Sequence, residues 1–530
     1  MATAVQSAPV LIGGQWRPAT SQSTFQAINP TTMESLPQTY PVSQWEDCDA
    51  ALSAAAEAAE QMRRLPADRI GDFLDAYADA IDAHIEEIAE LAHQETGLPV
   101  SPRLAKVEGP RTSNQLRQAA AAARQGTWAV PTIDTKANIR SCYEAIGPVC
   151  VFGPNNFPLA FGSVSGGDFA AAIAAGNPVI GKANTSHPGT TRRLAELARE
   201  AVQQVGLPAA TVQLLYRTSH ADGERLVADP RTGAVGYTGS RKAGLALKRA
   251  ADAAGTPIYL ELSSVNPVVI LPGALAERAD QIVDEFMTSV LMGTGQFCTN
   301  PGLVLALRDA ATDDFVEAVR SRFAATNPGV LLSPGVQQSL TAAVDTLVRA
   351  GAKLLTGGHP IEGCCSVENT LLQCSGQDFL AQPEVFQTEA FGNASLIVVA
   401  DSVDQLADII RSLEGNLTGC IYSSTQGEDD AAYERLADLL VQRVGRLLND
   451  KMPTGVAVSP AMNHGGPYPA TGHPGFTAVG IPASIHRFAK LTCYDAVREN
   501  RLPWLLRDKN PTGETWRFID LQWTTADVGS

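Results

Sequence analysis

Between residues 147 and 262, short apolar runs rich in β-branched residues alternate with segments whose apolar positions recur every three or four residues. This alternation predicts successive strands and helices. In order, they are strand 149–152, helix 167–175, strand 178–182, helix 194–205, strand 211–215, helix 224–228, strand 234–237, helix 241–254 and strand 258–262. Repeated β-α units fold into a parallel sheet with helices on both faces. Ligands of such sheets bind at the carboxyl ends of the strands.

The size and charge of the chain limit the classes of protein to which it can belong. Its 530 residues exceed what one hydrophobic core supports, so we expect about three domains, or two large ones. A net charge of -16 disfavours nucleic acid or an anionic membrane as the main partner.

The cysteines are nine in number, scattered, and without paired CxxC spacing. We therefore expect neither a disulfide framework nor a metal site. Residues 1–9 lack the features of a signal sequence, and no apolar run is long enough to span a bilayer. Together with reduced thiols, these features predict a cytoplasmic protein.

A glycine-containing turn follows the predicted strand 234–237. Thr238, Gly239 and Ser240, with Gly244 one turn later, open the next helix. Backbone N–H groups and the positive end of that helix would face a ligand, as a phosphate site requires. The spacing differs from the GxGxxG fingerprint, and a plain tight turn is the alternative. The position inside the β-α array favours phosphate binding.

Three further residues carry potential chemistry. Glu261 ends an apolar strand, where a carboxylate is costly without a partner or a task. Asn156 follows the first strand of the array, either as a ligand-facing amide or as part of an Asn-Pro turn. Cys298 lies on a loop flanked by glycine and small polar residues, as a nucleophile would, although free cysteines are often inert core residues.

Six motifs along the chain resemble those of the aldehyde dehydrogenase superfamily in order and spacing. They are Phe152-Gly-Pro-Asn-Asn-Phe-Pro158, Gly181-Lys-Ala183, Thr238-Gly-Ser240, Leu260-Glu-Leu262, Gly295-Gln-Phe-Cys298 and Glu389-Ala-Phe-Gly392. Three more are similar to one branch, which contains α-ketoglutarate semialdehyde (2,5-dioxovalerate) dehydrogenases and NADP-dependent fatty aldehyde dehydrogenases. These are Ser263-Ser-Val-Asn-Pro267, Cys298-Thr-Asn-Pro-Gly302 and His464-Gly-Gly-Pro-Tyr-Pro-Ala-Thr471.

The resemblance implies a covalent mechanism of aldehyde oxidation to an acid. Cys298 would attack the aldehyde as a thiolate, which requires a lowered pKa or a transient base. The Asn156 side chain and the Cys298 backbone N–H would stabilise the resulting oxyanion. Glu261 would activate the water that hydrolyses the thioester. This glutamate favours water over coenzyme A or phosphate as acyl acceptor. A catalytically silent structural paralogue is the alternative from another class.

The same resemblance places an NADP or NAD cofactor. Lys182 would bind a cofactor ribose, Ser240 and its turn the pyrophosphate, and Glu389 the nicotinamide ribose, with Phe391 beside it. An upstream Glu384-Val-Phe386 mimics the last motif, and Asn393 stands where the family usually has proline.

One departure from the family pattern bears on cofactor choice. Members specific for NAD often carry a glutamate three residues after the lysine, where this chain has Thr185. Without that carboxylate a 2′-phosphate is not repelled. We therefore expect NADP to be preferred, with Arg217 or His220 as a second contact.

The sequence leaves two classes of aldehyde open. Arg111, Gln115 and Gln118 share one face of a predicted helix, and Arg111 would bind the distal carboxylate of a semialdehyde unless it is simply solvated. A long-chain aldehyde would instead need an apolar funnel, which four aromatic residues would line: Phe157, Phe161, Phe297 and Tyr468.

The resemblance also implies an α/β architecture in three parts. They are a Rossmann-like parallel-sheet cofactor domain (residues 1–127 and 147–260), an α/β catalytic domain (261–477) and a small β oligomerisation arm (128–146 and 478–495). Residues 496–530 have no assigned role. Exposed arm strands are an aggregation hazard unless they are covered, so a homodimer or homotetramer is expected.

Overall fold

A computed structural model describes residues 7–21 and 23–529. Residues 1–6, part of the segment expected to lack a signal sequence, lie outside the described residues. Three larger sheets and two small ones organise the fold. Among the described helices, none combines the length and apolar character needed to cross a membrane.

The first large sheet contains the predicted β-α array. Its seven strands lie in the spatial order Ile258–Glu261, Ala234–Thr238, Val149–Phe152, Val179–Lys182, Val212–Leu215, Val10–Ile12 and Gln15–Arg17. The first five are parallel, and the last two continue the sheet antiparallel. The predicted alternation is confirmed, with small shifts at element ends. Continuous burial of the central strands agrees with a sheet covered on both faces.

Eight α-helices belong to this part of the chain. They are Trp45–Met62, Ala67–Ala83, Ile85–Thr96, Gly109–Gln125, Gly167–Ala174, Pro188–Val205, His220–Ala228 and Arg241–Ala254. A π-helical segment, Val100–Glu108, precedes the fourth of them. The helix after the glycine-containing turn begins where Ser240 caps it and ends at Gly255, whose φ of 74° is left-handed.

The second large sheet also has seven strands. Their spatial order is Lys353–Thr356, Thr370–Ser375, Ala394–Ala400, Leu303–Leu307, Pro267–Ile270, Asn416–Tyr422 and Val444–Asn449. All are parallel except the first. Val268 and Ile270 pack into one apolar cluster and Val269 into another, because alternate residues of a strand point to opposite faces. The α-helices of this region are Pro272–Leu291, Ala310–Ala325, Pro334–Arg349, Gly376–Ala381, Pro383–Phe386, Val403–Ser412, Asp430–Leu440 and Ala483–His486.

The third sheet joins distant parts of the chain. Its strands lie in the order Ala489–Asp495, Ile139–Ala145, Thr132–Asp134, Arg517–Ile519 and Gln522–Thr524. The last two come from residues 496–530, which had no assigned role. Arg517 anchors this segment, since its buried guanidinium donates hydrogen bonds to the carbonyls of Arg507 at 2.6 Å and Ala526 at 2.7 Å.

Two small sheets complete the strands. One contains Arg217–Thr218, Ser35–Ser43 and Thr24–Ile28, and the other Pro360–Ile361 and Ser366–Val367.

Candidate active site

The first sheet brings the sequence-predicted residues to one edge. Strand Val149–Phe152 lies between Ala234–Thr238 and Val179–Lys182. The next strands along the chain are added on the side of Val179–Lys182, and the later ones on the side of Ala234–Thr238. The direction in which strands are added therefore reverses at this strand. Such a reversal opens a crevice at the carboxyl ends of the strands. Asn156 follows one of the bordering strands, and Gly239 follows the other.

Cys298, Glu261 and His464 converge at this crevice. His464 Nε2 lies 3.4 Å from Cys298 Sγ and 3.0 Å from Glu261 Oε1. Glu261 and His464 are buried, and Cys298 is half-buried. The loop that carries His464 is tied to the sheet because Leu262 N donates to Ala470 O at 2.8 Å. Residues distant in sequence therefore form one compact polar cluster.

The cysteine loop depends on a glycine and an asparagine. Gly295 has a left-handed φ of 69°, and a Cβ there would collide with the Gly392 carbonyl. Asn266 Nδ2 donates to Cys298 O at 2.9 Å and to Asn300 O at 2.8 Å. These bonds fix the backbone at the cysteine and two residues beyond it.

The surroundings of Cys298 favour the neutral thiol. Burial raises the pKa of Cys298 well above its usual range, and the neighbouring Glu261 carboxylate raises it further. The positive charge of Arg111 opposes this shift without cancelling it. Of the two predicted routes to a thiolate, this direction favours a transient base over a lowered pKa. His464 Nε2 is within reach of the sulfur.

Asn156 lies beside the cysteine loop. Its buried side-chain Nδ2 donates to the carbonyl of Gln296 at 2.9 Å, two residues before the cysteine. The Asn156 carbonyl accepts a hydrogen bond from Arg103 Nη2 at 3.0 Å. The amide is thus held next to the sulfur-bearing segment, as the oxyanion prediction requires.

Arg103 and Glu108 support this arrangement, and the sequence did not reveal either. They form a partly buried ion pair. Glu108 Oε1 also accepts from the backbone N–H groups of Leu159 at 2.8 Å and Ala160 at 2.9 Å. The Arg103 guanidinium lies 4.3 Å from the centre of the Phe157 ring. Both charged residues belong to an irregular π-helical segment without a recognisable motif.

Arg111 is directed into the protein. Its Nη1 donates to the carbonyl of Val456, while Nε and Nη2 are buried without a hydrogen-bond partner among the described residues. The guanidinium lies 5.3 Å from the Phe161 ring centre. Burial lowers the pKa of Arg111, and the charges of Glu108, Cys298 and Glu261 oppose that shift. The alternative of a simply solvated arginine is wrong.

The other predicted substrate residues divide into two groups. Phe157 and Phe297 pack edge to face, 5.2 Å between ring centres, with Phe161 against them. Tyr468 is 62% exposed and does not join this cluster. On the arginine-bearing helix, Gln115 Nε2 donates to Ala160 O at 3.0 Å. Gln118 borders a cavity with Gln115.

Two of the predicted cofactor residues lie at or just after the end of strand Val179–Lys182. Lys182 ends its strand, and burial lowers its pKa to about 8, with a smaller contribution from the Arg217 charge. Thr185 is exposed on the following turn. Arg217 and His220 border one surface cavity.

The glycine-containing turn is tightly packed. Gly239 N donates to Glu261 O at 3.1 Å, and Ser240 caps the next helix through Ala243 N. A Cβ at Gly244 would lie 2.5 Å from the Leu262 side chain, so a larger residue would separate helix and strand.

Glu389 is a second carboxylate near the crevice, and it is half-buried. Burial raises its pKa to about 7, although hydrogen bonds from Ser263 and Ser264 oppose the shift. Together with Phe391 and Phe297 it lines a cavity that reaches the cysteine loop.

Comparisons with known proteins agree with this geometry. A sequence model described as "Aldehyde dehydrogenase family" matches residues 16–466. The chain belongs to the aldehyde dehydrogenase family. It is 39% identical to alpha-ketoglutaric semialdehyde dehydrogenase 2 of Azospirillum brasilense, over 95% of this chain and 97% of that protein. It is 34% identical to alpha-ketoglutaric semialdehyde dehydrogenase of Acinetobacter baylyi, over 94% of this chain and 96% of that protein.

Solved structures confirm the predicted α/β fold. Lactaldehyde dehydrogenase from Escherichia coli has a TM-score of 0.78 at 22% identity, covering 92% of this chain and 98% of that one. An NAD+ complex of aldehyde dehydrogenase from Bacillus cereus has a TM-score of 0.78 at 20% identity, covering 92% of this chain and 96% of that one.

Two features of the family motifs become clear in this fold. Glu384, the residue that mimics Glu389 in sequence, is exposed, whereas Glu389 lines the cavity beside the cysteine loop. Asn393, in place of the usual proline, is buried and donates to Val367 O at 2.9 Å and Asn369 Oδ1 at 2.7 Å. The asparagine therefore has a structural role in joining neighbouring segments.

His464 is the main functional candidate that sequence reasoning missed. It was noted only as the first residue of a branch motif, with no chemistry assigned to it. A useful signal was available, since a histidine opening a glycine- and proline-rich loop in an enzyme with a nucleophilic cysteine is a candidate base.

Proposed function

We propose that this protein oxidises 2,5-dioxovalerate (α-ketoglutarate semialdehyde) to 2-oxoglutarate, with NADP preferred over NAD as the hydride acceptor. The observation that carries the substrate assignment is the half-buried Arg111. Two of its guanidinium nitrogens are buried without partners among the described residues, and its charge acts electrostatically on Cys298. The named activities of the two relatives that are 39% and 34% identical support the same substrate.

Arg111 suits the distal carboxylate of this semialdehyde. Nε and Nη2 form one side of the planar guanidinium, where two parallel N–H groups match the two oxygens of a carboxylate. The third nitrogen, Nη1, already donates a hydrogen bond to Val456 O. This bond fixes the direction in which the Nε and Nη2 N–H groups point. A long-chain aldehyde would leave this buried charge unpaired, which is unfavourable.

The first chemical step is attack by Cys298. We propose that His464 Nε2, 3.4 Å from the sulfur, accepts the thiol proton as the carbon–sulfur bond forms. The aldehyde oxygen becomes an oxyanion, stabilised by the Asn156 amide and the Cys298 N–H. One Asn156 amide hydrogen is bound to Gln296 O, and the second remains for the oxyanion.

The cofactor would be held by Lys182, Ser240 and Glu389. Backbone N–H groups at the start of helix Arg241–Ala254 suit the pyrophosphate. When bound, the nicotinamide supplies the hydride acceptor that makes the thiohemiacetal oxidation possible. Phe391 would pack against the ribose that Glu389 binds.

Glu261 completes the reaction. Oxidation leaves a thioester on Cys298, and we propose that Glu261 removes a proton from the attacking water. The carbon–sulfur bond then breaks, the acid leaves, and the thiol is restored by a proton. Glu261 Oε1 lies 3.0 Å from His464 Nε2, so the imidazole packs against this base and limits its orientation.

The preference for NADP rests on Thr185 and Arg217. No carboxylate occupies position 185, and the threonine hydroxyl is exposed where it can donate to a 2′-phosphate. Arg217 lies near enough to influence the pKa of Lys182, so its charge also reaches this region.

The domain division and assembly remain part of this proposal. We assign residues 1–127 and 147–260 to cofactor binding, 261–477 to catalysis, and 128–146 with 478–495 to an oligomerisation arm. The edge strand Ala489–Asp495 exposes Leu491, 62% accessible, which favours burial against another subunit in a homodimer or homotetramer.

A substrate panel tests the proposed function. Reduced cofactor formation is measured with 2,5-dioxovalerate, short neutral aldehydes and long-chain aldehydes, each with NADP and NAD. We expect the highest kcat/KM with the semialdehyde. In Arg111→Gln this value should fall by roughly 10²-fold or more, with neutral aldehydes little affected, because only the anion loses its partner.

Arg117→Gln is the matched control, because this arginine lies on the same helix but forms ion pairs with Asp79 and Asp82. A higher kcat/KM with long-chain aldehydes would replace the proposal with a fatty aldehyde dehydrogenase. Turnover of no aldehyde, with Cys298 unprotected by any of them, would identify a silent paralogue.

A further inference from the structure

The cluster of Cys298, His464 and Glu261 has a second chemical capacity. Sulfur, imidazole nitrogen and carboxylate oxygen are the ligand types that zinc prefers. One ligand atom from each residue lies within 4.8 Å of the other two. The three residues come from separate segments, so their spacing in the sequence does not predict a metal site.

The observed distances are close to those of a zinc tetrahedron. Zinc–ligand bonds of about 2.3 Å to sulfur and about 2.0–2.1 Å to nitrogen or oxygen place sulfur about 3.6 Å and oxygen about 3.3 Å from the nitrogen. The corresponding distances here are 3.4 Å and 3.0 Å. Small side-chain rotations would admit the ion.

Glu261 supplies an independent indication. Its Oε2 is buried and makes no hydrogen bond within the described part of the chain, although the residue is only 2% exposed. A buried carboxylate oxygen without a donor is unfavourable. A cation bound to this carboxylate through Oε1 would offset the charge shared by both oxygens, and a bidentate contact would also reach Oε2.

The charges also balance. Zinc with one thiolate, one carboxylate and one neutral imidazole has no net charge, which suits a partly buried site. The thiolate form follows from binding itself, because metal-bound thiols lose their proton to solvent.

We propose that zinc binds Cys298, His464 and Glu261 in the substrate-free protein and reversibly inhibits it. The sulfur cannot bond to an aldehyde carbon while it is a metal ligand, so zinc and substrate exclude each other. This departs from the expectation of no metal site, which rested on cysteine spacing. It does not depend on the identity of the aldehyde or the cofactor.

Zinc affinity is measured by competition between the reduced full-length protein and a chromophoric zinc chelator. We expect one tightly bound zinc per subunit. Cys298→Ser and His464→Gln should each weaken binding by roughly tenfold or more, since each removes a ligand. Cys493→Ser and His473→Gln are controls, because both residues are exposed outside the cluster.

Cobalt provides a spectroscopic readout independent of activity. A thiolate-to-cobalt charge-transfer band should appear with the unsubstituted protein and be absent with Cys298→Ser. Zinc should also protect Cys298 from iodoacetamide, and a chelator should restore both labelling and aldehyde oxidation.

Equal zinc affinity in the unsubstituted protein and Cys298→Ser, or a cobalt spectrum without the thiolate band, would overturn the proposal. Either result would leave the proposed oxidation of aldehydes intact. Failure of the zinc-free protein to oxidise any aldehyde would instead count against the proposed function alone. The metal site is tested by zinc affinity and by the cobalt spectrum, and neither measurement requires activity.

Discussion

His464 Nε2 lies 3.0 Å from Glu261 Oε1, and the same nitrogen is 3.4 Å from the Cys298 sulfur. One imidazole nitrogen therefore contacts both the proposed nucleophile and the proposed base. With a hydrogen on Nε2, it can donate to the carboxylate or to a thiolate. Without one, it can accept the thiol proton. A proton can therefore pass between sulfur and imidazole without any large movement of either side chain.

Replacing His464 with glutamine should slow formation of the acyl-enzyme. The amide preserves a hydrogen-bond donor for Glu261 but cannot accept the thiol proton at neutral pH. We expect the rate of the first turnover to fall by about 10²-fold or more. This rate is measured by rapidly mixing the enzyme with aldehyde and cofactor and following the absorbance of the reduced cofactor.

His473→Gln controls for disturbance of the same loop, because this exposed imidazole accepts only a local hydrogen bond from Gly475 N at 3.0 Å. A first-turnover rate at high pH that recovers in His464→Gln would support proton acceptance by the imidazole. An unchanged rate at every pH would contradict it.

Replacing Glu261 with glutamine should block the second half of the reaction more than the first. The amide is nearly isosteric but cannot take a proton from water. We expect steady-state turnover to fall by about 10²- to 10⁴-fold, while one equivalent of reduced cofactor forms. Intact-mass measurement should detect the acyl group on Cys298, and its absence would show that another group activates water.

The ionisation of Cys298 predicts its pH-dependent labelling. Burial and Glu261 raise its pKa, so the thiolate fraction at neutral pH is smaller than that of an ordinary thiol, whose pKa is about 8.5. Alkylation by iodoacetamide should therefore be slow near pH 7 and still increase above pH 9, tracked by peptide mass spectrometry.

Two changes give opposite shifts in this profile. Glu261→Gln removes the negative charge and should move the labelling curve to lower pH, whereas Arg111→Gln removes the opposing positive charge and should move it higher. Curves that coincide for all three proteins would show that neither charge acts on the sulfur.

The β-α array could be predicted because each strand and helix carries its own local signal. Helix Arg241–Ala254, for example, has a serine cap, an apolar stripe and a terminal glycine, all visible in the sequence. Glu261 was identifiable because a carboxylate at the end of an apolar strand is costly. Residues that follow different strands of the array then lie at one edge of the sheet, because the carboxyl ends of parallel strands meet there.

The contacts around the cysteine were less predictable, because they depend on chain segments that meet only after folding. The position of His464 beside Cys298 requires the loop after the second sheet to pair with strand Ile258–Glu261. The burial of Arg111 likewise depends on Val456, far along the chain. The local periodicity of the sequence predicts on which face of its helix Arg111 lies. It does not predict which distant segment packs against that face.

Introducing glutamate at Thr185 should reverse the proposed cofactor preference. The new carboxylate would repel a 2′-phosphate and accept a hydrogen bond from a ribose 2′-hydroxyl. We expect the ratio of kcat/KM for NADP over NAD to fall by roughly tenfold or more, since about 1.4 kcal/mol of repulsion suffices.

Thr185→Gln separates charge from size, because glutamine has the same shape without the charge and should change the ratio much less. The difference between the two variants should shrink as salt concentration rises, since position 185 is exposed and its field is screened. Equal ratios for the glutamate and glutamine variants would show that position 185 does not face the 2′-position. A preference for NAD above tenfold in the unsubstituted protein would defeat the NADP argument itself.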